Sequence, residues 1–172
     1  MSKRILALAA FAGLIAGPAF AAEAGKATFV DASGKEVGTA VLTQTPHGVL
    51  LDIDVKGLPT GQHGFHIHDT GKCEAEGGFK SAGGHYAADK EHGYMVEGGP
   101  HPGDMPNQFV QDDGVFRAHV FNDMVSLAKD GDNSLLDDDG SAIIIHSGAD
   151  DYLSQPSGDA GDRIACAVIE GG

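Results

Sequence analysis

Apolar and polar residues alternate over short segments of this chain. The clearest example is GVLLDIDVK at 48–56, where Val49, Leu51, Ile53 and Val55 alternate with mostly polar neighbours. Every second side chain of a β-strand lies on the same face of the sheet, so this segment predicts a half-buried strand.

Other short segments also have the composition of strands. They lie at 27–30, 37–43, 114–121, 142–146 and 163–169. Turn residues rich in Gly and Asp separate them, and hardly any segment has the long 3.6-residue period of an amphipathic helix. Several short strands joined by turns predict an antiparallel β-sandwich or barrel.

Two long stretches, 70–107 and 147–162, do not fit strands. Loops of this length inside a compact domain are usually functional or disordered. The first stretch contains three histidines and a cysteine, so we interpret it as functional.

The first 21 residues have the features of a secretory signal peptide. A basic opening precedes an apolar run at 5–16, and the small-residue tripeptide AFA follows at 19–21. A membrane anchor is the alternative, but the run is shorter than the roughly 20 residues that a spanning helix needs. We expect residues 1–21 to be removed and residues 22–172 to form one exported domain with no membrane segment.

The composition is strongly acidic. The chain has 11 Lys and Arg against 25 Asp and Glu, a net charge of −14. Without Lys3 and Arg4, 9 basic residues remain and the net charge is −16. Such a surface argues against nucleic acids and anionic membranes as partners, and we attribute most of these carboxylates to solubility.

The chain contains two cysteines, Cys73 and Cys166. In an exported protein, an even and minimal number of cysteines favours a disulfide. The alternatives are two buried free thiols or one catalytic thiol.

Histidines concentrate in two clusters. The first, GQHGFHIH at 61–68, contains His63, His66 and His68. In a regular strand, His66 and His68 share one face, as in half of a metal site, and His63 lies on the other. We therefore expect His63 to hold the backbone through hydrogen bonds rather than to bind metal.

The second cluster, at 83–104, supplies His85, His92, His101 and Asp104. Three imidazoles and one carboxylate suit a tetrahedral zinc ion, and the glycines of this segment let a long loop fold around it. Together with His146 at the end of an apolar strand, the two clusters favour a metal site over a solvated loop with scattered histidines.

The chain resembles the copper/zinc superoxide dismutases of the bacterial, exported kind. The matching segments follow the family's order and cover most of residues 22–172: GQHGFHIH (61–68), SAGGHY (81–86), GGPHPGDMPN (98–107), IIIHSGADD (143–151) and GDRIACAVI (161–169). The resemblance implies a Greek-key antiparallel β-sandwich, or flattened barrel, of about eight strands with two long functional loops. It also implies a periplasmic location, and it leaves both a monomer and a homodimer open.

The resemblance further implies one copper and one zinc ion per chain. The implied copper ligands are His66, His68, His85 and His146, and the implied zinc ligands are His85, His92, His101 and Asp104. His85 would thus bridge the two ions. Zinc has no redox chemistry, whereas an all-imidazole site suits copper.

Other residues receive roles from the same resemblance. Asp150 would link a copper histidine to a zinc histidine, and Arg163 would guide and dock the substrate anion. His63 would be structural, and Cys73 and Cys166 would form the family's disulfide. The remaining histidines, His47 and His119, match no part of the site, and we interpret them as surface or packing residues.

The implied reaction converts superoxide to O₂ and H₂O₂. One superoxide reduces copper and leaves as O₂, and a second reoxidises it and leaves as H₂O₂. His85 would leave copper and take up a proton in the first step, then return the proton in the second.

The chain also departs from the eukaryotic members of the family. The loop at 147–162 contains four aspartates and no lysine. Lysines that steer the anion would therefore come from elsewhere, for which Lys72, Lys80 and Lys90 are the candidates.

Three other functions are compatible with parts of the pattern. A copper-buffering or copper-delivering protein would use the same histidines but would leave Arg163 without a role. A zinc hydrolase is disfavoured because the sequence contains neither GxSxG nor HExxH. A copper-only relative is disfavoured because all four zinc ligands are present.

Overall fold

A computed structural model describes residues 23–172, and eight strands form most of its regular structure. The strands are β1 (Ala24–Asp31), β2 (Glu36–Thr45), β3 (Gly48–Lys56), β4 (Gly61–His68), β5 (Asp104–Val110), β6 (Val115–Asn122), β7 (Ala142–His146) and β8 (Arg163–Gly171). Short 3-10 turns lie at Ala75–Gly77 and Lys80–Ala82. Within 23–172, no helix has the length and apolar character needed to cross a membrane. The predicted signal peptide lies outside the described residues.

The strands form one antiparallel sheet in the order β5-β4-β7-β8-β1-β2-β3-β6. The two edge strands, β5 and β6, contact each other, so the sheet curls into a nearly closed barrel. The connections from β3 to β4 and from β6 to β7 join strands that are not neighbours, as in a Greek key. The predicted all-β class and antiparallel barrel of about eight strands are confirmed.

Most strand predictions agree with the structure, and β3 and β7 have the predicted bounds. The predicted loop at 70–107 is too long at its C-terminal end, because residues from Asp104 onward belong to β5. The buried and exposed residues of β5 do not alternate, and Pro106 weakens the sequence signal. Proline is compatible with β5 because this strand lies at the sheet edge.

The structure has a third long connection, between β6 and β7 at 123–141, where the sequence predicts only turns. It carries the predicted turns rich in Asp and Gly, and it is fixed by two buried leucines, Leu127 and Leu135. The side-chain oxygen Oε1 of Gln44 accepts the backbone N–H of Leu127 at 2.7 Å. This connection is therefore packed on the barrel and is not a simple turn.

Both faces of β7 are buried. Ile143 and Ile145 belong to the main core inside the barrel, where burying each such side chain stabilises the fold by about 1.5–3 kcal/mol. Ile144 faces the other way and packs in a second cluster with Phe79 and Cys166. Strand β7 therefore lies between the barrel core and the loop that follows β4.

A disulfide fastens this loop to the barrel. Cys73 is bonded to Cys166 of β8, with 5.7 Å between the Cα atoms and a sequence separation of 93. The described residues contain no free cysteine. The predicted disulfide is therefore confirmed.

Candidate metal centre

The sheet register brings histidines and charged residues from four strands together. His66 on β4 is paired with Asp104 at the start of β5. His146, the last residue of β7, is paired with Arg163, the first residue of β8. The loop after β4 returns to the same place, since His85 forms an isolated bridge with His68.

Four histidines form the first buried group. They are His66, His68, His85 and His146, and their candidate ligand atoms lie within 4.8 Å of one another. The ring centroid of His85 is 4.1 Å from that of His66 and 4.9 Å from that of His68. The rings thus surround one small volume.

In each of these rings, one nitrogen has a partner and the other has none. His68 Nδ1 donates to the carbonyl of Gly83 at 3.1 Å, and His146 Nδ1 donates to the carbonyl of Gly161 at 3.2 Å. Within the described part of the chain, the buried nitrogens without a partner include Nδ1 of His66 and Nε2 of His68, His85 and His146. Leaving buried polar atoms unsatisfied is costly. Four converging imidazole nitrogens therefore fit a metal ion, and copper suits such a donor set.

A second buried group contains a carboxylate. Oδ1 of Asp104 lies 2.9 Å from His85 Nδ1, 3.0 Å from His92 Nδ1 and 3.3 Å from His101 Nδ1. The other carboxylate oxygen, Oδ2, accepts the backbone N–H groups of Gly93 and His101 at 2.9 and 3.0 Å. These bonds fix the carboxylate, and the three nitrogens and one oxygen fit tetrahedral zinc.

Two residues connect the groups. His85 belongs to both, with Nδ1 toward Asp104 and Nε2 among the unpartnered nitrogens of the first group. Asp150 contacts one histidine of each group, with Oδ2 2.7 Å from His66 Nε2 and Oδ1 3.1 Å from His92 Nε2. Each group is thus oriented in part by the other.

The protonation states suit metal binding. Burial lowers the pKa of His66 to about 4, although a hydrogen bond to Asp150 opposes the shift. Burial and the neighbouring His66 lower the pKa of His146 to about 3. Burial alone would raise the pKa of Asp104, but hydrogen bonds from His85 and from the Gly93 N–H outweigh it and keep the pKa below its ordinary value. Neutral imidazoles and an ionised carboxylate are the forms that bind metals.

A cleft of about 250 Å³ opens beside the first group. It is lined by His68, Gly84, His85, His146, Pro156, Ser157, Gly161 and Arg163. The Arg163 guanidinium is fixed in place, since Nη1 donates to the Phe79 carbonyl and Nη2 to the Gly83 carbonyl, both at 2.7 Å. None of the lysines considered for steering is among the described residues that line this cleft.

A larger cavity of about 440 Å³ lies on another side of His85. Its lining includes Asp69, Asp89, Asp137 and Asp139. The acidic composition favours a role in solubility for most carboxylates, and no local sequence pattern indicates that these four surround a cavity next to a candidate ligand.

The other histidines lie outside both groups. His63 is buried, with Nδ1 2.7 Å from the carbonyl oxygen of His146 and Nε2 2.8 Å from that of Pro59. His47 is exposed in the turn between β2 and β3, and His119 is exposed on β6 with Nε2 3.3 Å from Asp52.

Several residues that hold the centre through backbone contacts are not indicated by the sequence pattern. The Gly83 carbonyl accepts hydrogen bonds from both His68 and Arg163. The side-chain amides of Asn107 and Gln155 bond to the main chains of Asp150 and His92. Such contacts leave no periodic pattern in the sequence, and they join residues that are far apart along the chain.

Comparisons with known proteins agree with this geometry. Residues 36–169 match the family described as copper/zinc superoxide dismutase. A Cu-Zn superoxide dismutase of Aquifex aeolicus is 46% identical over 145 residues, which cover 83% of this chain and 84% of the relative. That of Caulobacter vibrioides is 44% identical over 140 residues, 80% of each chain.

A solved structure gives the same result for the fold. The crystal structure of a SOD-like protein from Bacillus subtilis superposes with a TM-score of 0.79 at 39% identity, and the match covers 83% of this chain and 96% of that one. The two buried donor groups fit copper and zinc, the metals that give the matched family its name. The chain therefore belongs to the copper/zinc superoxide dismutases, a family of oxidoreductases that dismutate superoxide.

Proposed function

We propose that this chain dismutates superoxide at the two donor groups that share His85. The proposed copper ligands are His66, His68, His85 and His146, and the proposed zinc ligands are His85, His92, His101 and Asp104. The observation that carries this proposal is that each histidine of the first group keeps one buried nitrogen without a partner. The carboxylate favours zinc in the second group, because zinc accepts mixed nitrogen and oxygen ligands.

When bound, copper supplies the one-electron chemistry that dismutation requires, and zinc supplies a fixed positive charge without redox chemistry. Arg163 binds the anion. Its two hydrogen bonds to main-chain carbonyls orient the guanidinium, which lines the cleft beside three histidines of the first group. Guanidinium has five N–H donors, so donors remain for a small anion in the cleft.

The proposed proton donor is His85. Its Nδ1 lies against Asp104, which leaves Nε2 as the atom where a proton can be held and released. His85 also lines the cleft, so the proton has a short path to the reduced dioxygen. Two superoxide ions and two protons then yield one O₂ and one H₂O₂, with the second proton drawn from solvent.

The assignment is tested by metal analysis and electron paramagnetic resonance of the purified protein. We expect one copper and one zinc per chain and a rhombic Cu(II) signal. A xanthine-oxidase/cytochrome c assay then measures dismutation. A fully metallated sample without activity would contradict the proposal and would favour a copper-binding protein.

The role of Arg163 is tested by Arg163→Ala, with Arg117→Ala as the matched control. Arg117 is exposed on β6 and paired with Asp54 at 2.8 Å, so its replacement removes the same charge away from the cleft. We expect Arg163→Ala to slow dismutation by about tenfold or more and Arg117→Ala to leave the rate unchanged, with equal metal content in both. Equal dismutation rates in the two variants would contradict the proposal that Arg163 docks the anion.

We also infer that the chain is exported and works in the periplasm as residues 22–172, free of the membrane. The basic opening, apolar run and small-residue site at 1–21 support this inference. Mass spectrometry of the protein from a periplasmic extract should give Ala22 as the first residue. Sedimentation velocity of the same sample distinguishes a monomer from the homodimer that the sequence leaves open.

A further inference from the structure

Two side-chain amides each make a pair of hydrogen bonds to the main chain beside the metal centre. Oε1 of Gln155 accepts the backbone N–H of His92 at 3.0 Å, and Nε2 of Gln155 donates to the His92 carbonyl at 2.8 Å. Gln155 lies in the loop at 147–162, and His92 lies in the loop between β4 and β5. This first amide clamp therefore joins the two long loops.

A second clamp has the same form. Oδ1 of Asn107 accepts the backbone N–H of Asp150, and Nδ2 of Asn107 donates to the Asp150 carbonyl, both at 2.8 Å. Asn107 belongs to β5. The second clamp thus fastens the loop at 147–162 to the edge of the barrel.

The two clamped residues also contact each other. Asp150 Oδ1 lies 3.1 Å from His92 Nε2, inside the protein, and its other oxygen contacts His66. Gln155, in contrast to this buried contact, is exposed to solvent. The clamps hold the main chains of the two residues, Asp150 and His92, whose side chains meet at the donor groups.

We propose that Gln155 and Asn107 are positioning residues that lock the loop at 147–162 over the metal centre and thereby set the rate of metal loss. This inference rests on the proposed ligand assignment. Partners that orient metal ligands change metal affinity by about 10–100-fold when they are removed. Gln155 acts on the proposed zinc ligand His92 through its main chain, and Asn107 acts on it indirectly through Asp150, so we expect an effect at the lower end of this range.

The primary test compares Gln155→Met, Gln155→Glu and Gln108→Met with the wild type. Methionine preserves the length of the side chain and removes both hydrogen bonds to His92, together with the one that Nε2 donates to the Leu153 carbonyl at 3.2 Å. Glutamate preserves the oxygen that accepts the His92 N–H. Gln108 is the matched control, since its amide donates to the carbonyl of Pro106 on the same strand. Zinc release to 4-(2-pyridylazo)resorcinol is measured on the holoprotein. Amide hydrogen exchange at 147–162 and urea unfolding are measured on the metal-free protein.

We expect Gln155→Met to release zinc about tenfold faster than the wild type, Gln155→Glu to be intermediate and Gln108→Met to match the wild type. We also expect faster exchange at 147–162 with an unchanged urea midpoint, because the clamp acts locally. Asn107→Asp retains one of the two hydrogen bonds to Asp150, and we expect it to behave like Gln155→Glu.

Two results would overturn the proposal. One is wild-type zinc release and wild-type exchange in Gln155→Met. The other is a lowered urea midpoint that accounts for the whole increase in zinc release, which would mean global stabilisation. A wild-type protein that retains no zinc would contradict the ligand assignment instead, and the exchange measurement on the metal-free chain would still decide whether the clamps hold the loop.

Discussion

The disulfide allows a quantitative prediction of stability. Replacing both Cys73 and Cys166 by alanine removes the cross-link without leaving a lone thiol. The bond joins residues 93 positions apart and encloses β5, β6 and β7 in the closed loop. Without the bond, the unfolded chain has more conformational entropy, which lowers the free energy of unfolding.

The size of the effect follows from the length of the loop. In the chain-entropy treatment, closing a loop of 93 residues lowers the entropy of the unfolded state enough to stabilise the fold by about 4–5 kcal/mol at 25 °C. With a urea dependence of about 2 kcal/mol per M, the unfolding midpoint should fall by about 2 M. Measured losses for native disulfides of small secreted domains are about 2–5 kcal/mol, so the expected shift is at least about 1 M.

Equilibrium urea unfolding of the metal-free protein provides the measurement, since bound metal would stabilise the folded state further. Cys166 is fully buried, so its replacement also removes packing. Reduced wild-type protein is the control, because it loses the cross-link and keeps both sulfur atoms. A midpoint that differs by less than about 0.5 M between oxidised and reduced wild type would refute the reasoning.

Two further predictions concern the donor groups. In the unfolded, metal-free chain, His66 and His146 are solvated and have pKa values near 6.5. In the folded chain, burial lowers the pKa to about 4 for His66 and to about 3 for His146. The unfolded state therefore binds more protons than the folded state below pH 6.5. The free energy of unfolding should fall by about 2 kcal/mol per histidine between pH 7 and pH 5. Urea midpoints of the metal-free protein at both pH values check this prediction. Gly158→Ala places a Cβ against the Asp150 carboxylate and 2.6 Å from His92 Nε2, at a φ of +70°. It should lose zinc faster than Gly34→Ala, which has a φ of +79° and open space around it, and equal zinc release would show that the contact between the loops tolerates the methyl group.

Hydrophobic patterning alone predicts much of the barrel. Strand β3 alternates, and β7 is an unbroken apolar run because both of its faces are buried. The pattern fails at β5, where an edge position permits Pro106 and a mixed burial pattern. It also fails between β6 and β7, because the packing of Leu127 and Leu135 depends on contacts that are distant in sequence.

The metal centre depends on more than local pattern. Strand periodicity places His66 and His68 on one face, and the composition of the second cluster suits zinc, but neither predicts that His85 belongs to both groups. That prediction comes from the family resemblance, and the structure brings the named residues together. The contacts of Asn107 and Gln155 could not be predicted from the sequence. A side-chain amide can bond to the main chain of any residue type, so such a contact leaves no pattern in the sequence.

The four histidines of the first group come from widely separated parts of the chain. His66 and His68 lie on β4, whereas His146 ends β7, 78 positions after His68. The donors of the second group all lie within residues 85–104, but an emerging chain cannot assemble the first group before His146 has been made. Uptake of an ion by the first group therefore reports that β4 and β7 have paired.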